Sequence, residues 1–136
     1  MTAEPAPVAA AWVERLSLTN FRNYTSVELK VGPAPVVLLG RNGAGKTNLL
    51  EAVSLLAPGQ GLRRAAYADL ARAGGGGDWA VAARLITNDG AVEIGTGLQP
   101  SGATAASPGR IVRIDGVSQS GSGALADYVD MAWLTP

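Results

Sequence analysis

The chain has 136 residues, 47% of them apolar, which suits one domain built around one hydrophobic core. Eleven basic and eleven acidic residues cancel, arguing against a strongly cationic nucleic-acid module while leaving room for a local basic patch. Cysteine and histidine are both absent, so disulfides, thiolate chemistry and the usual zinc sites are excluded.

The first segment, Met1-Thr2-Ala3-Glu4-Pro5-Ala6-Pro7, carries an acid and two prolines where a secretory signal needs basic residues and an apolar core. Residues 1–11 therefore read as a disordered tail, and residues 12–136 as the folded part. No apolar run approaches the length of a membrane span, and the expected location is the cytoplasm. Leu16 and Leu18 alternate with Arg15, Ser17 and Thr19, and Val27, Leu29 and Val31 repeat that period after Asn20 to Thr25. Two strands joined by a short turn result. Gly32-Pro33-Ala34-Pro35 breaks the chain before Val36-Val37-Leu38-Leu39, whose continuous apolar character predicts a central strand covered on both faces.

That run delivers the chain to Gly40-Arg41-Asn42-Gly43-Ala44-Gly45-Lys46-Thr47, which matches the phosphate-binding P-loop pattern G-x-x-x-x-G-K-[ST] at every fixed position. Gly40 and Gly45 can adopt angles closed to residues with a Cβ, while Gly43 and Ala44 keep the loop small enough for phosphate oxygens to approach its amides. Lys46 is expected on the β- and γ-phosphates of a nucleoside triphosphate, and the Thr47 hydroxyl on Mg²⁺. The chain has nine arginines and two lysines, and one of those two lysines stands where a compact ammonium must fit inside the loop. An accidental glycine-rich turn is the bland alternative, but the preceding apolar run and the following helix disfavour it. From Gly45, Leu49, Leu50, Val53 and Leu56 recur at helical spacing until Pro58-Gly59, which predicts a helix with one buried stripe.

Beyond it, Ala65 to Arg72 reads as a short helix, stopped by Gly74 to Gly77 in a surface loop. Trp79, Val81, Ala83 and Leu85 alternate, Asn88-Asp89-Gly90 supplies turn chemistry, and Val92, Ile94, Thr96 and Leu98 alternate again, the pattern of a hairpin. Gln99 to Gly109 reads as a connector, Arg110 to Ile114 with Asp115-Gly116 as a strand and turn, and Ala124 to Met131 as a helix. Locally paired strands around one P-loop strand and helix differ from the alternating pattern of a simple P-loop kinase. The expected fold is an α/β P-loop NTPase with added antiparallel strands, arranged as the first lobe of an ABC/SMC-type ATPase head.

The segments Leu18-Thr19-Asn20-Phe21-Arg22-Asn23-Tyr24, Val37 to Gly40 and Asn42 to Ala52 resemble the N-terminus of the RecF family, bacterial relatives of the SMC-type ATPases. Pro58 to Ala65 and Trp133 to Pro136 resemble later RecF segments, and the likeness spans most of residues 13–73. The resemblance implies the ATP-binding portion of a recombination mediator that acts on DNA at single-strand gaps and stalled forks, with RecO and RecR, in DNA repair, the SOS response to DNA damage and replication restart. It implies Gly40, Arg41, Asn42, Gly43, Ala44, Gly45, Lys46, Thr47 and Asn48 around ATP, Thr47 on Mg²⁺, and Arg22 and Asn23 at a turn beside the nucleotide. In that family a head-to-head homodimer closes on double-stranded DNA and a slow ATPase releases it. The acidic Walker B residues and the Ser-Gly-Gly signature of the family do not occur before Pro136, so catalytic residues are not expected in this chain, which is expected to be truncated before the second lobe. Turnover also needs a positioned water, a base and charge stabilisation beyond the P-loop.

Competing readings stand beside these. A small-molecule kinase would need an acceptor site, and none is evident; a non-catalytic remnant would keep the motif without the chemistry. Arg63 and Arg64, supported by Arg72, are candidates for DNA phosphates or simply solvated surface residues. Asp89 and Asp115 precede glycines and read as turn residues. Trp12 and Tyr24 could stack on a base, although packing suits each better.

Overall fold

The computed structural model describes residues 11–41, 45–99 and 109–131. The expected tail over residues 1–10, most of the connector and the segment Trp133 to Pro136 lie outside the described residues. The strands are β1 (Trp12–Phe21), β2 (Tyr24–Lys30), β3 (Trp79–Thr87), β4 (Gly90–Leu98), β5 (Ile111–Ile114) and β6 (Val117–Ser118), and the α-helix is α1 (Lys46–Ser54). They form one six-stranded sheet of order β2-β1-β3-β4-β5-β6, in which every pairing is antiparallel. No helix among the described residues is long and apolar enough to cross a membrane.

Alternation places Leu16, Leu18, Val81, Ala83, Leu85, Val92 and Ile94 on one face, and all seven are buried. That face packs against Leu49, Ala52, Leu55 and Leu56 of α1 and the turn after it, and against Leu70 and Leu125 on two short 3-10 turns, in one continuous core. Phe21 stacks edge-on against Trp79 with ring centroids 5.6 Å apart, while the Trp79 indole donates to the Tyr67 carbonyl at 2.7 Å. The expected β3–β4 hairpin forms as Thr87 pairs with Gly90 across Asn88 and Asp89. Asp115 stands in its turn at φ 50, and its Oδ1 accepts from the Glu93 amide at 2.9 Å.

Beyond the C-terminal end of α1, Arg110 donates to the carbonyls of Leu55 and Gly59 and to the Thr96 hydroxyl, tying the helix to β4. Burial holds this guanidinium below the usual arginine value, and Tyr67, whose ring lies 5.9 Å away, partly opposes that shift. The cation also meets the negative end of the helix dipole there.

Several expectations change. Val36 to Leu39 belong to no strand; Val36, Val37 and Leu39 are 56%, 76% and 90% exposed, and only Leu38 touches the core. A strand needs a neighbour for its ladder, and none of the six described strands pairs with this run. The added antiparallel strands form the sheet, and the expected central P-loop strand is not among the six described strands. Leu50 is 45% exposed, so the buried stripe of α1 runs through Leu49 and Ala52 instead. The helix ends at Ser54, and i→i−3 bonds from Leu55, Leu56 and Ala57 tighten the last turn before Pro58.

The helix expected over Ala65 to Arg72 shrinks to a 3-10 turn at Tyr67–Leu70. Its backbone is used elsewhere: the Leu70 carbonyl accepts from the Arg22 amide and the Arg72 amide donates to the Asn20 carbonyl, both at 2.8 Å, with Ala71 bridging Phe21. The helix expected over Ala124 to Met131 is likewise a 3-10 turn, at Ser122–Asp127.

Two strand glycines should respond differently to alanine. A Cβ at Gly97 would lie 2.5 Å from the Trp79 carbonyl oxygen, whereas a Cβ at Gly95 meets nothing within 4 Å. Urea unfolding is expected to show Gly97→Ala destabilised by about 1–3 kcal/mol and Gly95→Ala changed by less than about 1 kcal/mol.

Candidate functional site

The β1–β2 hairpin turn and the start of α1, some twenty residues apart in sequence, meet in space. Phe21 pairs with Tyr24, so Arg22 and Asn23 form a two-residue turn, with Arg22 at φ 50. Glycine normally fills such a position, because a side chain there is strained. The Arg22 guanidinium offsets that strain by gripping Glu51 from two nitrogens: Nε to Oε1 at 2.9 Å and Nη2 to Oε2 at 3.3 Å. The Glu51 side chain is only 2% exposed, against 25% for Arg22. Arg63 adds a longer contact, Nη1 to Glu51 Oε1 at 3.4 Å, and also donates to Asn48 Oδ1 at 3.0 Å.

The same turn touches the P-loop. The Asn48 amide donates to Asn23 Oδ1 at 2.9 Å, and the Tyr24 hydroxyl donates to the Gly45 carbonyl at 3.0 Å. Gly45 is the N-cap of α1 at φ 100 and ψ 11, a left-handed conformation that glycine enters without penalty. A Cβ there would sit 2.5 Å from Asn23 Nδ2 and 2.8 Å from the Tyr24 oxygen, so the glycine is demanded by space as well as by angle.

No side chain caps Gly45, and the first turn of α1 holds no acid. The positive end of the helix thus faces outward without a carboxylate to neutralise it. Lys46 Nζ donates to the Gly40 carbonyl at 2.6 Å, bringing the ammonium across the mouth of the loop. Thr47 is exposed at the second helical position, and Arg41 is exposed at the loop entry. Asn42, Gly43 and Ala44 lie outside the described residues. Among the described residues no three His, Cys, Asp or Glu side chains cluster as a metal site. A metal at Thr47 would lean on one hydroxyl, phosphate oxygens and water, which is the mode Mg²⁺ favours.

The structure therefore brings together Arg22, Asn23, Gly40, Gly45, Lys46, Thr47 and Asn48 around the start of α1. Arg63 joins this group, whereas Arg72 turns to Asn20 Oδ1 at 3.4 Å and Arg64 is exposed. Sequence reasoning passed over Glu51 and the hydroxyl of Tyr24. A carboxylate one residue from the apolar stripe of a helix carries no signal of its partners, which arrive from 29 and 12 residues away.

A profile of the AAA domain matches residues 15–92. The chain is 50% identical over 128 residues to the DNA replication and repair protein RecF of Mesorhizobium japonicum, covering 94% of this chain and 33% of that protein. It is 50% identical over 125 residues to RecF of Brucella suis biovar 1, covering 91% of this chain and 31% of the relative. It spans about a third of the length of these curated relatives. A solved structure of the recombination mediator protein RecF with ATP, in the RecFOR pathway, superposes with a TM-score of 0.72 at 23% identity, over 87% of this chain and 31% of that one. At that identity the superposition speaks to the fold.

Unfolding measurements on Glu51 and its partners check the geometry. Glu51→Ala strands a partly buried Arg22 and is expected to cost about 3 kcal/mol. Arg63→Ala breaks only a half-exposed pair and is expected to cost less than about 1 kcal/mol.

Proposed function

We propose that this chain, which belongs to the AAA domain family and is homologous to the N-terminal ATPase portion of RecF recombination mediators, binds ATP and Mg²⁺ through Gly40 to Asn48, with Arg22 and Asn23 flanking the same site. The uncapped, acid-free start of α1, entered through left-handed Gly45 and overhung by the Lys46 ammonium, carries this reading. An anion at that point receives backbone N–H groups and the positive helix end together.

In this reading Lys46 exchanges the Gly40 carbonyl for a phosphate oxygen, and its charge lies between the β- and γ-phosphates. Thr47 would hold the metal through its hydroxyl, and the metal would supply positive charge that offsets the charge of the phosphates. Arg22 commits Nε and Nη2 to Glu51, and Nη1 makes no bond among the described residues. No base for hydrolysis is assigned within this chain, so the proposed activity here is binding, with a slow DNA-dependent ATPase assigned to longer homodimeric relatives.

The finer architecture we propose is the first lobe of an ABC/SMC-type ATPase head. Exposed Val36, Val37 and Leu39, beside an apolar cavity of about 270 Å³ that includes Leu38 and Val53, support cover by strands of a longer relative. Homology supports cytoplasmic action on double-stranded DNA at single-strand gaps with RecO and RecR, in repair, the damage response and replication restart. The wholly antiparallel sheet speaks against the alternating topology of a small-molecule kinase.

Titration calorimetry with ATP tests the site. Lys46→Ala is expected to weaken binding roughly 10- to 100-fold, the scale of a lost charge-assisted contact, and Thr47→Val to remove the dependence on Mg²⁺. Steady-state hydrolysis by this chain that disappears in Lys46→Ala would overturn the assignment to binding alone.

A further inference from the structure

Tyr24 lies outside every role assigned so far, yet its hydroxyl reaches the residue at which the P-loop becomes a helix. We propose that Tyr24 is a positioning residue for phosphate binding, fixing the Gly45–Lys46 peptide so that the Lys46 amide faces the bound phosphates, with Asn23 holding the adjoining turn against the helix. The inference rests on the reading of Gly40 to Thr47 as a phosphate site.

The Gly45 carbonyl accepts two hydrogen bonds, from the Leu49 amide at 2.9 Å and from the Tyr24 hydroxyl at 3.0 Å. This peptide is trans, so its N–H points opposite to its C=O. Anchoring the carbonyl from two directions therefore aims the Lys46 N–H away from the helix body, outward from its N-terminal end, which is where an anion binds. Gly45 benefits from such an anchor, because a residue without a Cβ at φ 100 has a wide choice of backbone angles.

Neighbouring contacts make Tyr24 a fixed post. Arg22, immediately before the pair, is held by Glu51 through its guanidinium and by the Leu70 carbonyl through its amide. Asn23 then accepts from Asn48 at 2.9 Å, one residue beyond Thr47. The turn thus braces both the entry of the helix and its first turn, and the ring of Tyr24 packs at the edge of the core. A ring used for stacking on a base would be indifferent to its hydroxyl; a positioning role depends on it.

Tyr24→Phe in the full chain separates these uses. Calorimetry with ATP, GTP and inorganic tripolyphosphate is expected to show the same loss for all three, about two- to tenfold, the scale of one hydrogen bond. Without any nucleotide, the Gly45 carbonyl carbon and Lys46 amide nitrogen resonances are expected to move while the thermal midpoint stays within a few degrees. Unchanged affinity for all three ligands, or a loss confined to the two with a base, overturns the role of Tyr24. Failure of the unsubstituted chain to bind any of them overturns the phosphate site itself, a distinct result. Should Tyr24→Phe not fold, Asn23→Ala on the exposed turn gives the second test: the Lys46 amide resonance is expected to shift, and no shift counts against the bracing of the loop.

Discussion

One buried carboxylate organises the region around the phosphate loop. Burying Glu51 is costly unless its oxygens are satisfied, and the molecule satisfies them with two arginines from different segments. The stronger of the two arms, from Arg22, holds a hairpin turn at a positive φ that arginine would not choose. Asn23 and Tyr24 follow that turn, so their contacts with Asn48 and Gly45 inherit its position. The strain at Arg22 and the contacts at the start of α1 are thus two ends of the same constraint.

The antiparallel sheet provides the rigid base for this constraint. Its buried face presses on α1 and the turn after it through Leu49, Ala52, Leu55 and Leu56, and Arg110 ties the far end of the helix to β4. Both ends of α1 are therefore anchored by side chains, the start by the Tyr24 hydroxyl on Gly45 and the far end by the partly buried Arg110 guanidinium, while the Arg22 clamp holds Glu51 between them. A helix fixed in this way presents its N-terminal amides in a constant direction, which is what phosphate recognition requires. Val36 to Leu39 contrast with it: apolar enough for a buried strand, they lack a ladder partner among the described residues and stay largely exposed.

The chemistry of such a site is asymmetric. Backbone donors, a helix end and one ammonium can hold a triphosphate, and one hydroxyl can share a metal with it, but none of these groups accepts a proton from an attacking water. Arg22 and Arg63 bring two positive charges to Glu51 on α1. The Glu51 carboxylate is thereby committed to structure and is unsuited to act as a base.

The sequence by itself determined what depends on neighbours along the chain. Alternation at Leu16 and Leu18 and again from Trp79 to Leu98 announced paired strands, and spacing after Gly45 announced a helix, because each follows from backbone geometry and local period; Gly40 to Thr47 supplied the motif on which the proposed phosphate site rests. Tertiary structure alone decided where long-range partners compete with that local preference. Ala65 to Arg72 gave up a helix because its backbone bonds to β1, Leu50 turned outward because Ala52 faces the sheet, and Val36 to Leu39 formed no strand for want of a neighbour. Glu51 and Tyr24 acquired their roles in the same way, through atoms brought from 29 and 21 residues away, a distance over which periodicity carries no information.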